Sequence, residues 1–320
     1  MIPNLKRAVI EIIGSCNYSC KMCPQSTGRD SEFLKKMPLN TFESILDRLS
    51  GNPIINLEGS GEPTLAKDLA LYVEACTKRG FKSYMYCNGS RLNGQFMKDV
   101  IDAGLTFVRF SCIGYDRVTY KTWMNIDNFD LIKSNVRGIK SYIEKTKSQC
   151  QISSYHLILD PANIDFEVAS YRNNFIDDLG ITGYIWKMHN WSGNYSPVYL
   201  RNPKTRKTCG RPFAPEITIR AGGLEGEYGA VTPCCQTLGP PNEKLSVLGH
   251  VSNESLTSIW YGEKYEALRK AHIEGNFDSI PYCKNCDFLY EDPEVLVWSN
   301  DKHASIDYML GTEFSLKDYK

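Results

Sequence analysis

The stretch Cys16-Asn17-Tyr18-Ser19-Cys20-Lys21-Met22-Cys23 places three cysteines within eight residues, in a C-x3-C-x2-C spacing. Three thiolates on one short loop can hold three irons of a cubane [4Fe–4S] cluster and leave the fourth iron open, whereas such clusters ordinarily have four cysteine ligands. The loop follows an apolar run, residues 8–13, which is typical of a buried strand. Because a β/α barrel carries its chemistry at the carboxyl ends of its strands, this spacing predicts a cluster at the end of a first barrel strand. A zinc site or three unrelated thiols are the alternatives.

The loop resembles the signature loop of the radical S-adenosylmethionine (SAM) enzymes. That resemblance implies that Cys16, Cys20 and Cys23 bind a [4Fe–4S] cluster whose open iron is chelated by SAM. It also implies that the reduced cluster cleaves SAM to methionine and a 5′-deoxyadenosyl radical, which abstracts hydrogen from a substrate. The residue before the third cysteine is commonly aromatic in that family and is Met22 here; a thioether can also pack against a ring.

The composition excludes several other classes of protein. Lys and Arg together number 37, as do Asp and Glu, so the charge of the 320-residue chain does not indicate a nucleic-acid-binding protein. The amino-terminal residues lack the charged and apolar regions of a signal peptide, and no apolar run approaches the roughly 18 residues of a membrane span. We therefore expect a cytoplasmic protein without membrane contact, in which the 12 cysteines stay reduced and favour metal binding at C-x2-C spacings.

Strands and helices alternate regularly through the first 190 residues. Strands are predicted at 8–13, 53–57, 81–87, 106–112, 150–159 and 184–190, and helices from about 39, at 65–79, 92–103, 129–147 and 166–179. The segment 25–36 is predicted to be polar and mobile. Regular alternation favours parallel βαβ units and an α/β fold. Six units fall short of a closed eight-stranded barrel, and the resemblance implies a partial (β/α)₆ TIM-like barrel.

The second strand ends in Glu58-Gly59-Ser60-Gly61-Glu62-Pro63, where two glycines allow a tight turn and close approach to a ligand. The stretch is similar to the GGEP motif of radical SAM enzymes, with Gly-Ser-Gly in place of the first glycine pair. Further positions border the SAM site by resemblance, namely an Asn-Gly turn after the third strand and a serine at the end of the fourth. The implied SAM-binding residues are Gly59, Ser60, Gly61, Glu62, Asn88 and Ser111. A plain solvated turn is the alternative reading.

The end of the sixth strand and the unassigned cysteines supply candidates for substrate chemistry. His189 and Trp191 follow that strand and are expected to face the active site, although a buried structural histidine is an alternative. A cysteine thiol can return a hydrogen atom to a substrate radical. Cys87, Cys112, Cys150 and Cys235 are unassigned, and each is a candidate donor, although free cysteines are commonly buried. Cys87 and Cys112 are expected near the ends of barrel strands. Cys112 and Cys235, with His189, are the predicted catalytic residues.

Five further cysteines lie between residues 209 and 286. Cys283 and Cys286 form a C-x2-C pair, Cys209 and Cys234 or Cys235 lie upstream, and zinc could satisfy the same Cys₄ set. Together with the glycine-rich hairpin at 217–231, these residues resemble a SPASM domain or its shorter form, Twitch. The resemblance implies one auxiliary [4Fe–4S] cluster bound by Cys209, Cys234, Cys283 and Cys286. Because adjacent side chains point opposite ways on extended backbone, only one residue of the Cys234–Cys235 pair should be a ligand.

The predicted organisation is a radical SAM partial barrel at 1–195, a linker at 196–207, a small α+β SPASM/Twitch domain at 208–290 and a tail at 291–320, which could cover the second domain. The predicted function is radical SAM dehydrogenation or epimerisation of a small polyol, sugar or aminocyclitol. An external donor such as flavodoxin or ferredoxin would supply electrons. A peptide- or protein-modifying maturase is the alternative, which we disfavour because a first strand at about residue 7 leaves no room for a leader-binding domain. A zinc-stabilised binding module is the non-enzymatic reading.

Overall fold

A computed structural model of the chain describes residues 2–195, 206–290 and 296–302. The strands are β1 Leu5–Ile10, β2 Gly51–Leu57, β3 Ser83–Cys87, β4 Phe107–Ser111, β5 Gln151–Ile158, β6 Thr182–Lys187, β7 Glu216–Ile219, β8 Ala230–Thr232, β9 Gly249–His250 and β10 Leu296–Ser299. The helices are α1 Leu39–Leu46, α2 Leu69–Lys78, α3 Gly94–Asp102, α4 Arg117–Met124, α5 Phe129–Thr146, α6 Ile164–Tyr171, α7 Asn242–Leu245, α8 Leu256–Trp260 and α9 Glu263–Glu274.

All ten strands belong to one sheet, in the order β10-β6-β5-β4-β3-β2-β1-β7-β8-β9. Strands β1 to β6 pair in parallel, each with its neighbour along the chain, and helices connect them. Parallel pairing brings the carboxyl ends of these strands to one edge, so the loops that follow them meet there. The predicted α/β fold with six parallel strands is confirmed.

The strands β7 to β9 continue the barrel sheet instead of forming a sheet of their own. β7 pairs in parallel with β1, and β8 and β9 follow as antiparallel strands. The predicted second domain is thus continuous with the barrel at the β1 edge, which the sequence pattern did not indicate. The opposite edge receives β10, which pairs antiparallel with β6. The described part of the predicted tail therefore extends the barrel sheet at β6.

Apolar faces of the helices form the core against this sheet. In α5, the buried residues Ile132, Val136 and Ile139 recur every three or four positions. Helix α4, which no sequence prediction included, begins with a capping box between Asp116 and Thr119. None of the described helices combines the length and the apolar character needed to cross a membrane. Residues 196–205 of the predicted linker, and 291–295 and 303–320 of the tail, lie outside the described residues.

The segment at 25–36 differs from the prediction of a polar, mobile loop. It contains two short 3₁₀ turns, Pro24–Thr27 and Ser31–Phe33. Phe33 is completely buried, and the Arg29 side chain is only 2% exposed because two buried carboxylates pair with it. A charged residue in a polar stretch is ordinarily solvated, so the sequence alone did not reveal this buried ion pair.

Candidate functional site

A cavity of about 350 Å³ lies at the edge of the sheet where the parallel strands end. Residues at the ends of β3, β4 and β6 contribute to its wall, together with the loops after β1 and β2 and a segment from the carboxyl-terminal region. The predicted site residues that line it are Cys16, Cys20, Cys23, Gly59, Ser60, Gly61, Glu62, Asn88, Ser111, His189 and Cys235. The fold thus brings together residues that are up to 219 positions apart in the chain, from Cys16 to Cys235.

The three cysteines of this loop are partly buried and line the cavity. The Tyr18 backbone N–H donates to Cys16 Sγ at 3.4 Å, and Cys20 Sγ lies 3.8 Å from Met124 Sδ on α4. Burial raises the pKa of Cys16 and Cys20, and it raises the pKa of Cys23 to about 11. A thiol with a raised pKa is protonated at neutral pH, and bound metal is what deprotonates such a ligand.

The donor set of this loop fits an iron–sulfur cluster. Within the described ranges, no three His, Cys, Asp or Glu side chains converge so as to hold a metal ion. A cubane distributes its thiolates over separate irons, so its ligands need not converge on one point. Three thiols on one loop, facing a cavity that also holds a glycine-rich loop, therefore fit a cluster with an open iron.

The loop after β2 is joined to the loops after β1 and β3 by hydrogen bonds to Glu62 and Asn88. Glu62 Oε2 accepts from the Asn88 backbone N–H at 2.6 Å, and Oε1 accepts from the Thr64 backbone N–H at 3.0 Å. Asn88 Nδ2 donates to Asn17 Oδ1 at 2.9 Å. Burial raises the pKa of Glu62. This buried carboxyl and these backbone groups can orient a ligand with an amino group.

The two glycines of this loop are needed for close packing and not for the tight turn that was predicted. Neither has a positive φ. A Cβ on Gly61 would lie 1.8 Å from the Ile13 backbone oxygen, and a Cβ on Gly59 would lie 2.1 Å from the Glu11 carboxylate. Glycine is therefore required because the loop packs against the chain that leaves β1.

Ser111 and His189 both line the cavity, as predicted for residues at strand ends. Ser111 is the last residue of β4 and is partly exposed. The His189 ring packs against Trp191 at 4.1 Å and Phe288 at 5.5 Å between centroids. His189 thus lies between the barrel and the carboxyl-terminal region, and its ring is held by aromatic packing.

The candidate Cys112 does not reach this cavity. Its side chain is completely buried, and its neighbour Ser111 faces the cavity instead. Alternation along the extended backbone explains the difference, since successive side chains point to opposite faces. The prediction of Cys112 as a thiol donor therefore conflicts with its position. Cys87, which the sequence left unassigned, does line the cavity.

The Cys234–Cys235 pair is divided between two environments. Cys235 lines the cavity, where its Sγ accepts from Arg211 Nη1 at 3.5 Å and from Gln236 Nε2 at 3.6 Å. Cys234 does not line the cavity; burial raises its pKa to about 12, with Cys235 and Cys209 adding to the shift.

The C-x2-C pair belongs to the same environment as Cys234. Burial raises the pKa of Cys283 and Cys286, with Cys209 and Cys234 adding to both shifts. Cys209 and Cys283 pack against the buried Cys286, and Cys234 acts electrostatically on the C-x2-C pair, so the donor chemistry of these four thiols fits a second iron–sulfur cluster.

Several cavity residues were missed by sequence reasoning. They are mostly charged or aromatic side chains on strands or in the second domain, namely Arg7, Glu58, Tyr86, Arg109, Tyr155, Trp186, Lys187 and Arg211. A signal existed for Arg109, which stands between the core residues Val108 and Phe110 on β4. A charge within a strand of a parallel sheet, which is usually apolar throughout, can indicate a residue that faces a binding site.

A buried ion network lies beside this cavity. Glu11 accepts from the Ser60 backbone N–H at 2.6 Å and pairs with Arg29 at 3.3 Å and with Arg220 at 3.8 Å. Burial opposes the charge of Glu11, but Arg29, Arg220 and the Ser60 donors hold its pKa below the ordinary value. Arg29 also pairs with Glu243 on α7. The network thus connects β1, the glycine-rich loop and the second domain.

Two family models match the chain. One is described as the radical SAM superfamily and matches residues 10–152. The other is described as an iron–sulfur cluster-binding domain, SPASM, and matches residues 226–287. The first range includes the three-cysteine loop and the glycine-rich loop, and the second includes Cys234, Cys283 and Cys286.

Two relatives align with most of the chain. The chain is 32% identical over 341 residues to the tungsten-containing aldehyde ferredoxin oxidoreductase cofactor-modifying protein of Pyrococcus furiosus, with 93% of each chain covered. It is 21% identical over 284 residues to the S-adenosyl-L-methionine-dependent 2-deoxy-scyllo-inosamine dehydrogenase of Niallia circulans, covering 87% of this chain and 91% of that protein.

Solved structures share the fold. BtrN in complex with AdoMet and 2-DOIA superposes with a TM-score of 0.59 at 18% identity, covering 90% of this chain and 94% of that chain. Streptococcus suis SuiB bound to the precursor peptide SuiA gives a TM-score of 0.56 at 15% identity, covering 83% and 67%. At these identities the likeness establishes a common architecture.

Proposed function

The chain belongs to the radical SAM superfamily, and we propose that it abstracts hydrogen from a small polyol, sugar or aminocyclitol-type substrate and dehydrogenates it. Radical SAM domains bind SAM and a [4Fe–4S] cluster, and the SPASM domain adds auxiliary iron–sulfur binding. When bound, these groups supply a 5′-deoxyadenosyl radical, which abstracts hydrogen, and an acceptor for the electron that the substrate loses.

Residues around the cavity have defined roles in this proposal. Cys16, Cys20 and Cys23 hold the cluster that faces SAM. The loop from Gly59 to Glu62 orients the SAM amino group through its backbone and the Glu62 carboxyl, while Asn88 and Ser111 bind SAM from the ends of β3 and β4. Cys209, Cys234, Cys283 and Cys286 hold the auxiliary cluster.

One observation carries the proposal. The three-cysteine loop and the segment with Cys235 and Arg211 line the same cavity, and Cys234, next to Cys235, interacts electrostatically with the thiols of Cys209, Cys283 and Cys286. A substrate in this cavity would lie between the two cluster sites. His189, Trp191 and Phe288 would pack against it and exclude water from the reacting carbon.

A small-molecule substrate is favoured by the two relatives. One is a dehydrogenase of 2-deoxy-scyllo-inosamine, and the other modifies a cofactor. Peptide modification remains the second candidate, because SuiB shares the fold and binds a precursor peptide. Epimerisation is the alternative outcome for a small substrate, since the Cys235 thiol lines the cavity and could return a hydrogen atom.

Anaerobic reconstitution tests the proposal. We expect the protein to bind iron and sulfide and, when reduced by dithionite or by flavodoxin or ferredoxin, to cleave SAM to methionine and 5′-deoxyadenosine. The variant C16A should lose this activity. The control C76A, which removes a buried thiol of α2 outside the cavity, should retain it. Absence of SAM cleavage by the wild-type protein would overturn the assignment.

Reaction in heavy water separates the outcomes for a polyol or aminocyclitol panel. An oxidised product without carbon-bound deuterium supports dehydrogenation. A product with deuterium at one inverted carbon, whose formation is lost in C235A, identifies epimerisation. Turnover of a peptide with no turnover of small molecules would favour the maturase.

A further inference from the structure

Arg109 on β4 is a cation buried inside the barrel. The residue is 5% exposed, and its guanidinium lies over the ring of Tyr184 at 3.8 Å and near those of Phe107 and Tyr86 at 5.2 and 5.3 Å. Its Nε donates to Ser153 Oγ at 3.1 Å. These contacts fix the plane of the guanidinium at the wall of the cavity.

No carboxylate of the described residues forms an ion pair with this guanidinium. Within the described part of the chain, the Nε–Ser153 bond is its sole hydrogen bond, and no carboxylate lies within 4.0 Å of it. Stacking on aromatic rings stabilises the two faces of a guanidinium, but it gives no hydrogen-bond acceptor to the N–H groups that lie in its plane. Burying a charge whose donors are unmatched is costly, so the Nη groups are expected to meet their acceptors on a bound molecule.

The surrounding charges favour an anionic ligand. Arg7 on β1 and Lys187 on β6 line the same cavity. Glu58 also lines it and feels the charges of Arg7 and Arg109, but burial raises the pKa of Glu58 and its carboxyl accepts from Asn56 Nδ2 at 3.1 Å. Arg7 pairs with Glu216 at 3.4 Å. Among the described residues that line the cavity, the cationic side chains Arg7, Arg109, Lys187 and Arg211 outnumber the carboxyl groups of Glu58 and Glu62.

We propose that Arg109 is a substrate-binding residue that holds a carboxylate or phosphate group of the substrate through two parallel N–H···O bonds. An arginine fork matches both oxyanions in this geometry. This inference rests on the proposed function and narrows it, because the polyol, sugar or aminocyclitol would then carry an acidic group.

Matched probes test this inference on the anaerobically reconstituted holoenzyme with SAM bound. Isothermal titration compares glucose with glucose 6-phosphate and with glucuronate, and myo-inositol with myo-inositol 1-phosphate. We expect at least one acidic probe to bind at least tenfold more tightly than its neutral partner. Preference for the phosphates or for glucuronate identifies which oxyanion the site takes.

Variants assign the effect to Arg109. R109Q should remove the preference for the acidic probe, and R109K should retain only part of it because a lysine lacks the planar fork. The control R137Q removes an exposed arginine on α5 that pairs with Asp178 and should bind like the wild type. Each variant is first checked for iron content and SAM cleavage, which report folding separately from this site.

Two results would overturn the inference. One is wild-type enzyme that cleaves SAM but binds no acidic probe more tightly than the neutral one, including the case in which no probe binds. The other is an acidic preference that persists in R109Q. Failure of SAM cleavage by the wild type would instead overturn the proposed function.

Discussion

Arg29 Nη2 lies 2.6 Å from Glu243 Oε1, and both side chains are almost completely buried. Arg29 follows the three-cysteine loop, whereas Glu243 belongs to α7 of the second domain. The guanidinium also pairs with Glu11 and donates to the Gly14 backbone oxygen. One side chain thereby ties the segment after the cluster loop to β1 and to the carboxyl-terminal region.

We expect R29Q to lower the free energy of unfolding by about 3–5 kcal/mol, because it leaves the buried Glu243 without its arginine and removes one of the two arginines that pair with the buried Glu11. Urea unfolding of the anaerobic holoprotein, followed by circular dichroism, measures this change. The control K244Q breaks ion pairs to Asp30 and Glu32 from an exposed lysine next to Glu243. It should leave stability nearly unchanged, because exposed pairs contribute little. Equal losses in the two variants would contradict a special role for the buried pair.

Gly61 should not tolerate a side chain. In G61A the new Cβ would lie 1.8 Å from the Ile13 oxygen, and neighbouring backbone atoms lie within 2.8 Å. We expect a loss of about 1–3 kcal/mol or more from overpacking, together with weaker SAM binding measured by equilibrium dialysis. The control G138A places a methyl group in open space on α5 and should raise stability by roughly 0.5–1 kcal/mol. Normal SAM binding by G61A would show that this close packing does not shape the site.

The two adjacent cysteines should respond differently to alanine. C234A is expected to lose the auxiliary cluster and so about half of the bound iron, since Cys234 interacts electrostatically with the other three proposed ligands. C235A should retain its iron, because Cys235 lines the cavity. Iron and sulfide analysis with electron paramagnetic resonance distinguishes them. Full iron content in C234A and loss in C235A would reverse the assignment.

His272 predicts a pH dependence of stability. It is buried on α9, its Nδ1 lies 2.9 Å from Thr208 Oγ1, and burial lowers its pKa from 6.5 to about 4. The unfolded chain therefore binds a proton that the folded chain excludes between these pH values. The contribution of the neutral His272 to the free energy of unfolding is fully present above pH 6.5. It is lost on acidification towards pH 4, by up to about 1.4 kcal/mol per pH unit.

Comparison of the wild type with H272Q isolates this contribution. The difference between their unfolding free energies should shrink or reverse from pH 7 to pH 5, as the wild type loses stability that the variant does not. Urea unfolding at several pH values measures it. A difference that stays constant over this range would mean that His272 does not titrate as its burial indicates.

Local patterns in the chain were sufficient for the family, the cofactors and the alternation of strands and helices. The cysteine spacing is a local property, because three ligands of one cluster lie on one loop. Apolar periodicity is also local, because it reflects which side of a helix or strand is buried. The radical SAM and SPASM assignments made from these patterns are confirmed by the family models. The approximate positions of the six barrel strands were also predictable.

The side chains that meet in the cavity were decided only by the tertiary structure. In the sequence, Arg29 is one charged residue in a polar segment. Only the fold brings Glu11 and Glu243, which are distant from it in sequence, into ion pairs with it. Arg109 faces the cavity and Cys112 does not, because a strand turns alternate side chains to opposite faces and only the assembled sheet defines which face is inside. Pairing of β7 with β1 likewise depends on contacts between distant segments. Long-range packing of this kind leaves no local pattern in the sequence. The sequence therefore determined the cluster and SAM chemistry, and the fold determined which other side chains line the cavity.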